Sequence, residues 1–186
     1  MALFPDLSFG WLNGWIVLAL LGLAEGICFV VFPKDVVKRL WDRSGWSQKQ
    51  VVFTVIGKLC ALVCLVLLIC TPLKVGSAAF WVGSAVTAMG LVGLVTALLN
   101  FRNTPLDQPV ARGLYRVSRH PQIVMASLVL LGGAIAVGSW AVVIALLAGR
   151  VFGHLSILAE EEVCLRQYGD VYQGYMEQVA RYFVLF

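Results

Sequence analysis

From Ile123 to Leu158 the chain reads IVMASLVLLGGAIAVGSWAVVIALLAGRVFGHLSIL, 36 residues in which Arg150 is the one Asp, Glu, Lys or Arg. A helix crosses the hydrocarbon core of a bilayer with about 20 apolar residues. This run is too long for one span, and Gly138-Ser139 breaks it into a shortish helix over 123–137, a tight turn and a second helix over 139–158. A hairpin of two spanning helices returns the chain to the side it left. The flanking segments, the basic stretch Arg112 to Gln122 and the acidic triplet Glu160-Glu161-Glu162, therefore share one membrane face. A site made from both ends of the hairpin is expected there.

Composition supports a membrane setting for the whole chain. Hydrophobic residues make up 60% and charged residues 13%, against about a quarter charged in soluble domains. With 186 residues, mostly in spans, there is room for one helical domain and no separate soluble one. The net charge of +4 reads as a topology signal and not as a nucleic-acid surface. The first apolar run has no basic residue before it, so it is expected to stay as a helix and not to act as a cleaved leader. Of the five cysteines, four sit in apolar spans and none has a His at ligand spacing, which argues against a metal site. Val-Leu-Phe at the end of the chain offers no cysteine for prenylation.

Taken in order, the first span is expected over 11–32, closed by Pro33. Gly10, Gly14, Gly22 and Gly26 form a stripe along it that would let another helix approach closely. Lys34 to Gln50 turns polar and basic, a loop or short interfacial helix. Further spans are predicted over 51–71 and 76–99. In the latter Gly76, Gly83, Gly90 and Ala97 recur every seven residues on one packed face. Pro121 suits the first turn of the fourth helix. After the hairpin, a helix beginning in the glutamates should stop at Tyr168, with Gly169 past its end and Asp170 capping the next. That last, amphipathic helix would place Val171, Tyr172, Tyr175, Val179, Tyr182 and Phe183 on one face against the membrane surface. The fold class is thus all-α and integral to the membrane, with five transmembrane helices. Segments 100–122 and 159–186 would be cytoplasmic.

The loop after the first span (Lys34, Lys38, Arg39, Arg43, Lys49), the loop after the third and the C-terminal tail hold 11 of the 14 Lys and Arg residues. Cytoplasmic loops carry such an excess, so the N-terminus would lie outside. Trp11, Trp15, Trp81 and Trp140 would mark the outer interface, Trp41 and Trp46 the inner one.

His120-Pro121 at a helix start, with guanidinium groups beside it, suits a carboxylate or phosphate. The triplet suits an ammonium, another cationic centre or ribose hydroxyls. A zwitterionic, partly cationic ligand fits both. The ordered series Gly113-Leu114-Tyr115-Arg116-Val117-Ser118-Arg119-His120-Pro121, a helical hairpin, Glu160-Glu161-Glu162, then Tyr168-Gly169-Asp170-Val171-Tyr172 and Tyr175 resembles the isoprenylcysteine carboxyl methyltransferase family and its prokaryotic relatives. Phosphatidylethanolamine N-methyltransferases share parts of it. Ile123 stands where that family often has Tyr, Ser156 where it commonly has Arg, and its late Pro is missing after Arg181. The resemblance implies an S-adenosylmethionine-dependent enzyme acting on a lipid or other hydrophobic acceptor. It also implies that Tyr115, Arg119, His120 and Pro121 hold the methionine end of the cofactor, with Glu160 or Glu161 on its ammonium or ribose. His120 would accept a proton from an amine or thiol acceptor, imidazole being the side chain that titrates nearest neutrality.

Three ionisable residues lie within the spans at a common level. Glu25, Lys58 and Arg150 are each about 10 to 12 Å from the cytoplasmic ends at 1.5 Å per residue. Charges in a span usually face a bundle interior or cavity, so a cluster is expected, with Glu25 paired to Lys58 or Arg150. Arg150 and Glu25 join His120 as candidate catalytic residues. Two other readings fit part of the pattern: an NADPH-dependent membrane reductase of the sterol or steroid type, and a non-enzymatic transporter or scaffold. Membrane lipids are the expected surroundings, and the glycine stripes are compatible with an oligomer.

Overall fold

The computed structural model describes residues 1–41 and 46–183; Arg43 of the basic loop lies outside them. Among the described residues seven α-helices follow one another: α1 (Trp15–Val31), α2 (Lys34–Trp41), α3 (Gln48–Ile69), α4 (Ala78–Arg102), α5 (Pro121–Val137), α6 (Trp140–Tyr168) and α7 (Asp170–Gln178), with a 3₁₀ turn over Gly113–Arg116 before α5. No strand occurs among the described residues. By length and composition α3, α4 and α6 can each cross a membrane, and α1 and α5 are shorter apolar helices of 17 residues.

Small residues decide which helices pair. A Cβ on Gly83 would lie 2.5 Å from Ala136 N and Gly132 O, and one on Gly90 would lie 2.7 Å from Val129 N. Only glycine lets the α4 and α5 backbones come so near, and the two pack along most of their lengths. Between α3 and α6 the approach is less close, a Cβ on Gly57 lying 3.3 Å from Gly153 N, and the Thr54 and Ser156 hydroxyls share a 2.7 Å hydrogen bond there. The Gly83 and Gly90 stripe thus serves packing, while Gly76 (φ +81°) makes a turn with no neighbour at its Cβ position. The stripe on α1 is different. Gly14 abuts Leu68 O, but Gly22 and Gly26 meet nothing within 4 Å.

The hairpin turn falls where expected. Gly138 takes φ +69° and Ser139 caps α6 by accepting from Val142 N. Two boundaries differ from the sequence reading. α1 begins at Trp15 and not Trp11, because Asn13 donates its side-chain amide to Ser8 O and to Ile69 O. That bond satisfies a carbonyl in the last turn of α3. α6 does not end near Leu158; it continues unbroken through the glutamates to Tyr168. Ser156 bonds across to Thr54 and so does not compete for its own backbone. At 1.5 Å per residue α6 is about 44 Å long, against a core of about 30 Å. Its acidic end therefore projects beyond the apolar part of the bundle.

The two ends of the bundle have different contents. At one end Ala2 bonds to Gly138 and Trp140, Leu73 to Leu12, and Lys74 to Ala136, with Trp11, Trp81 and Trp140 exposed around them. At the other end α2, the 103–120 segment, the acidic end of α6 and α7 come together.

Candidate functional site

The basic motif is folded by a tight turn and held by the tail. Gly113 (φ +58°) opens the 3₁₀ turn, which buries Tyr115. The chain then passes through Val117 to His120 into α5, with Pro121 as its first residue, where a missing N–H costs nothing. Arg119 N donates to Ala180 O at 2.9 Å and the Ser118 hydroxyl to Arg181 O at 2.9 Å. The motif and residues 179–181 thus lie side by side, so α7 cannot extend as far as the sequence pattern predicts. It stops at Gln178, and Val179 is already extended. Asp170 is its first residue and not its cap, Gly169 (φ +52°) taking that position.

Glu161 is the hub of the arrangement. It is 3% exposed and accepts from Arg119 Nε at 2.8 Å, from Arg181 Nη2 and Nε at 2.8 and 3.0 Å, and lies 3.3 Å from His120 Nε2. Arg119 uses its Nη1 on Met176 O and Val179 O as well. A carboxylate between two guanidinium groups, each bond charge-assisted, ties α6, the motif and the tail into one unit. The bonds to Glu161 hold the Arg181 guanidinium above its ordinary value. Neither Arg181 nor this role of Glu161 was anticipated. The amphipathic pattern placed Arg181 in a helix, where it counted only as a topology charge.

Beside this hub lies a cavity of about 680 Å³, within the usual range for small-molecule sites. Tyr115, Arg119, His120, Glu160, Tyr172 and Tyr175 line one part of it, and Glu25, Gln122 and Arg150 contribute from α1, α5 and α6. Glu160, half-exposed, has its Oε2 3.8 Å from His120 Nδ1. Of the two adjacent glutamates, Glu160 faces the cavity and Glu161 does not. Burial pushes the Tyr115 hydroxyl well above the usual phenol range, with Tyr175 and Glu160 adding to the rise. Burial raises Tyr175 too, and it donates to Tyr115 O at 2.7 Å. These aromatic walls are neutral at ordinary pH.

Helix α2 covers one side through Lys38, Arg39 and Trp41, and Trp46 follows it. Arg39 fastens it by donating to Pro105 O (3.0 Å), Gln108 O (2.6 Å) and Tyr168 Oη (3.1 Å), with its guanidinium 5.2 Å from the centre of the Phe101 ring. This contact, like the 2.9 Å bond between His154 Nδ1 and Tyr182 Oη, joins residues far apart in sequence and has no local signal.

The expected cluster of three charges is only partly assembled. Glu25 and Arg150 line the cavity, but Lys58 is exposed on α3 and lies outside it. Among the described residues no ion pair joins Glu25 to Lys58 or to Arg150. The phase of α3 turns Lys58 outward because Gly57, its neighbour, is the residue that meets α6. Two side chains that line the cavity each have one buried nitrogen without a hydrogen-bond partner, Gln122 Nε2 and Arg150 Nε.

A family model described as phospholipid methyltransferase matches residues 66–171, from the last turn of α3 to the start of α7. No curated protein and no solved structure matches the chain. The match covers the motif turn, the hairpin and the glutamates. It leaves out α1 with Glu25, the covering helix α2, and the tail with Tyr172, Tyr175 and Arg181.

Proposed function

We propose that this chain, which belongs to the phospholipid methyltransferase family, transfers a methyl group from S-adenosylmethionine to a lipid or other hydrophobic acceptor at the cytoplasmic membrane face. Family and composition together make it a membrane methyltransferase with lipid as the substrate class. The observation that carries the finer reading is that the basic motif and the acidic end of α6 meet at one cavity wall, with His120 Nδ1 facing Glu160. A zwitterion with a cationic centre fits that wall: Arg119, His120 and the start of α5 for a carboxylate, Glu160 for an ammonium or ribose, and neutral Tyr115, Tyr172 and Tyr175 around the sulfonium.

When bound, S-adenosylmethionine supplies a methyl already activated on a sulfonium. The protein then has to align the acceptor and exclude water, so positioning accounts for most of the rate. In this reading Tyr115, Arg119, His120 and Pro121 hold the carboxylate end and Glu160 the other polar end. Glu161 acts through Arg119 and His120, keeping both in place. His120 Nδ1 takes the proton released by an amine or thiol acceptor, and half-exposed Glu160 passes it to water. Arg150 and Glu25 face the acceptor from within the spans.

The same proposal includes a single membrane domain with five spans. At about 26 Å each, α1 and α5 are near the lower limit for crossing. The segments 100–122 and 159–186 then form the cofactor site in the cytoplasm, with the N-terminus outside. Retention of radiolabelled S-adenosylmethionine by the purified protein, displaced by unlabelled S-adenosylmethionine but not by NADPH, is the expected result. Retention of NADPH instead would replace the methyltransferase reading with a reductase.

A further inference from the structure

We infer that Arg39 is the latch of the cavity: it pins helix α2 across one side, and release of this side chain opens the way for a water-soluble ligand to enter and leave. The inference rests on the methyltransferase reading only for naming that ligand S-adenosylmethionine; the latch itself stands on its contacts.

α2 has eight residues, too few to hold a helix by backbone bonding alone. Its apolar side, Val36 with Val37 and Leu40, belongs to the cluster around Phe32 and Leu98. Its polar side brings Lys38 and Arg39 to the cavity. Arg39 reaches two separate elements from there. Nη1 donates to Pro105 O, and Nη2 to Gln108 O and to Tyr168 Oη in the last turn of α6. Tyr168 Oη in turn donates to Leu106 O at 3.4 Å. Residues 103–112 form no helix or strand, so their carbonyls need donors from elsewhere. The guanidinium fork supplies two. Arg39, Leu106 and Tyr168 all line the cavity, which places this knot on its rim.

The Glu161 side of the cavity is closed differently. There the carboxylate is 3% exposed and its bond from Arg119 is buried. The bonds from Arg39 to Pro105 and Gln108 are exposed, so water replaces them at small cost. The α2 side therefore opens while the hub stays intact, as movable covers are drawn from the less stable contacts of a fold. Arg39 is a positioning residue, acting through α2 and the 103–112 segment and not on the reacting atoms.

Cys164 lines the same cavity and gives a readout that needs no cofactor. Burial holds its thiol up at about 11, and the nearby charge of Arg39 pulls it down. Loss of that charge alone would slow alkylation, so a faster reaction reports access. The cofactor-free, full-length protein in non-ionic detergent is treated with N-ethylmaleimide and Cys164 is followed by peptide mass spectrometry. Alkylation should be about 10-fold faster or more in Arg39→Met, which keeps the length of the side chain but not its bonds. Tyr168→Phe, losing one acceptor of three, should show a rise of about two- to threefold, and Arg39→Lys should fall between wild type and Arg39→Met. Cys60, within α3 and not on the cavity wall, should react at the wild-type rate in each. Stopped-flow dissociation of S-adenosylmethionine from Arg39→Met should be faster by a factor similar to that at Cys164.

Unchanged alkylation of Cys164 in Arg39→Met overturns the latch, and so does an equal acceleration at Cys60, which would report general loosening. If Arg39→Met does not fold, Tyr168→Phe decides, and a wild-type rate at Cys164 overturns the inference. Faster alkylation with unchanged dissociation of S-adenosylmethionine overturns control of ligand exchange by Arg39. If alkylation accelerates but the wild-type protein retains no S-adenosylmethionine, the cofactor reading fails while the latch stands.

Discussion

Glu161 and Arg150 lie on the same helix, eleven positions apart, and have been treated in opposite ways by the fold. Glu161 is 3% exposed and bonded to two guanidinium groups, with His120 at its side. Arg150 lines a cavity with its Nε unmatched. A buried charge with all its partners in the protein is part of the scaffold. One without them adds nothing to the scaffold's bonding. Proximity to the motif is therefore a poor guide to function here, since the more central carboxylate of the pair Glu160 and Glu161 is the one that faces away from the cavity.

Removing Glu161 should break this contrast most severely. Glu161→Ala leaves Arg119 and Arg181 close together and uncompensated, at a cost of about 3 to 5 kcal/mol. The variant should unfold at a clearly lower temperature in detergent and retain no cofactor; a thermal transition equal to wild type would show that the hub is not structural. Arg181→Ala comes next. Glu161 keeps Arg119, so the loss should be about 1.5 to 3 kcal/mol, and the tail should become more open to limited proteolysis near residue 180. Unchanged proteolysis would mean that the bonds from Ser118 and Arg119 N hold the tail unaided.

Glu160→Ala sharpens the comparison from the other side. Its side chain is 46% exposed, so stability should hardly change, while affinity for S-adenosylmethionine in titration calorimetry should drop about 10-fold or more. Normal affinity would remove Glu160 from the cofactor site. The smallest effect on stability is expected for Arg150→Met. Replacing an unmatched buried charge by an apolar side chain of similar length is neutral or stabilising, so thermal unfolding should occur at or slightly above the wild-type temperature. A marked fall would mean that Arg150 has a structural partner after all.

The apolar runs, the turn at Gly138-Ser139, Pro121 at a helix start and Gly169 past a helix end were all legible in the residues, because each depends on chemistry within a few positions. So was the meeting of the basic motif with the glutamates, since a hairpin forces it. Which glutamate faces the cavity was not. Adjacent residues on a helix point about 100° apart, and the rotation of α6 is set by Gly153 against Gly57 and Ser156 against Thr54, contacts with a helix a hundred residues earlier in the chain. Arg150, eleven positions before Glu161 and so on nearly the same face of α6, lines the cavity at a deeper level, and the packing of α3 turns Lys58 out. Arg181 reached Glu161 only because the tail leaves α7 at Gln178 to lie against Ser118 and Arg119. Local chemistry in the sequence determined the helices and some of their ends; the start of α1, the end of α7 and the pairing of charges were decided by non-local contacts, which exist only once the bundle has packed.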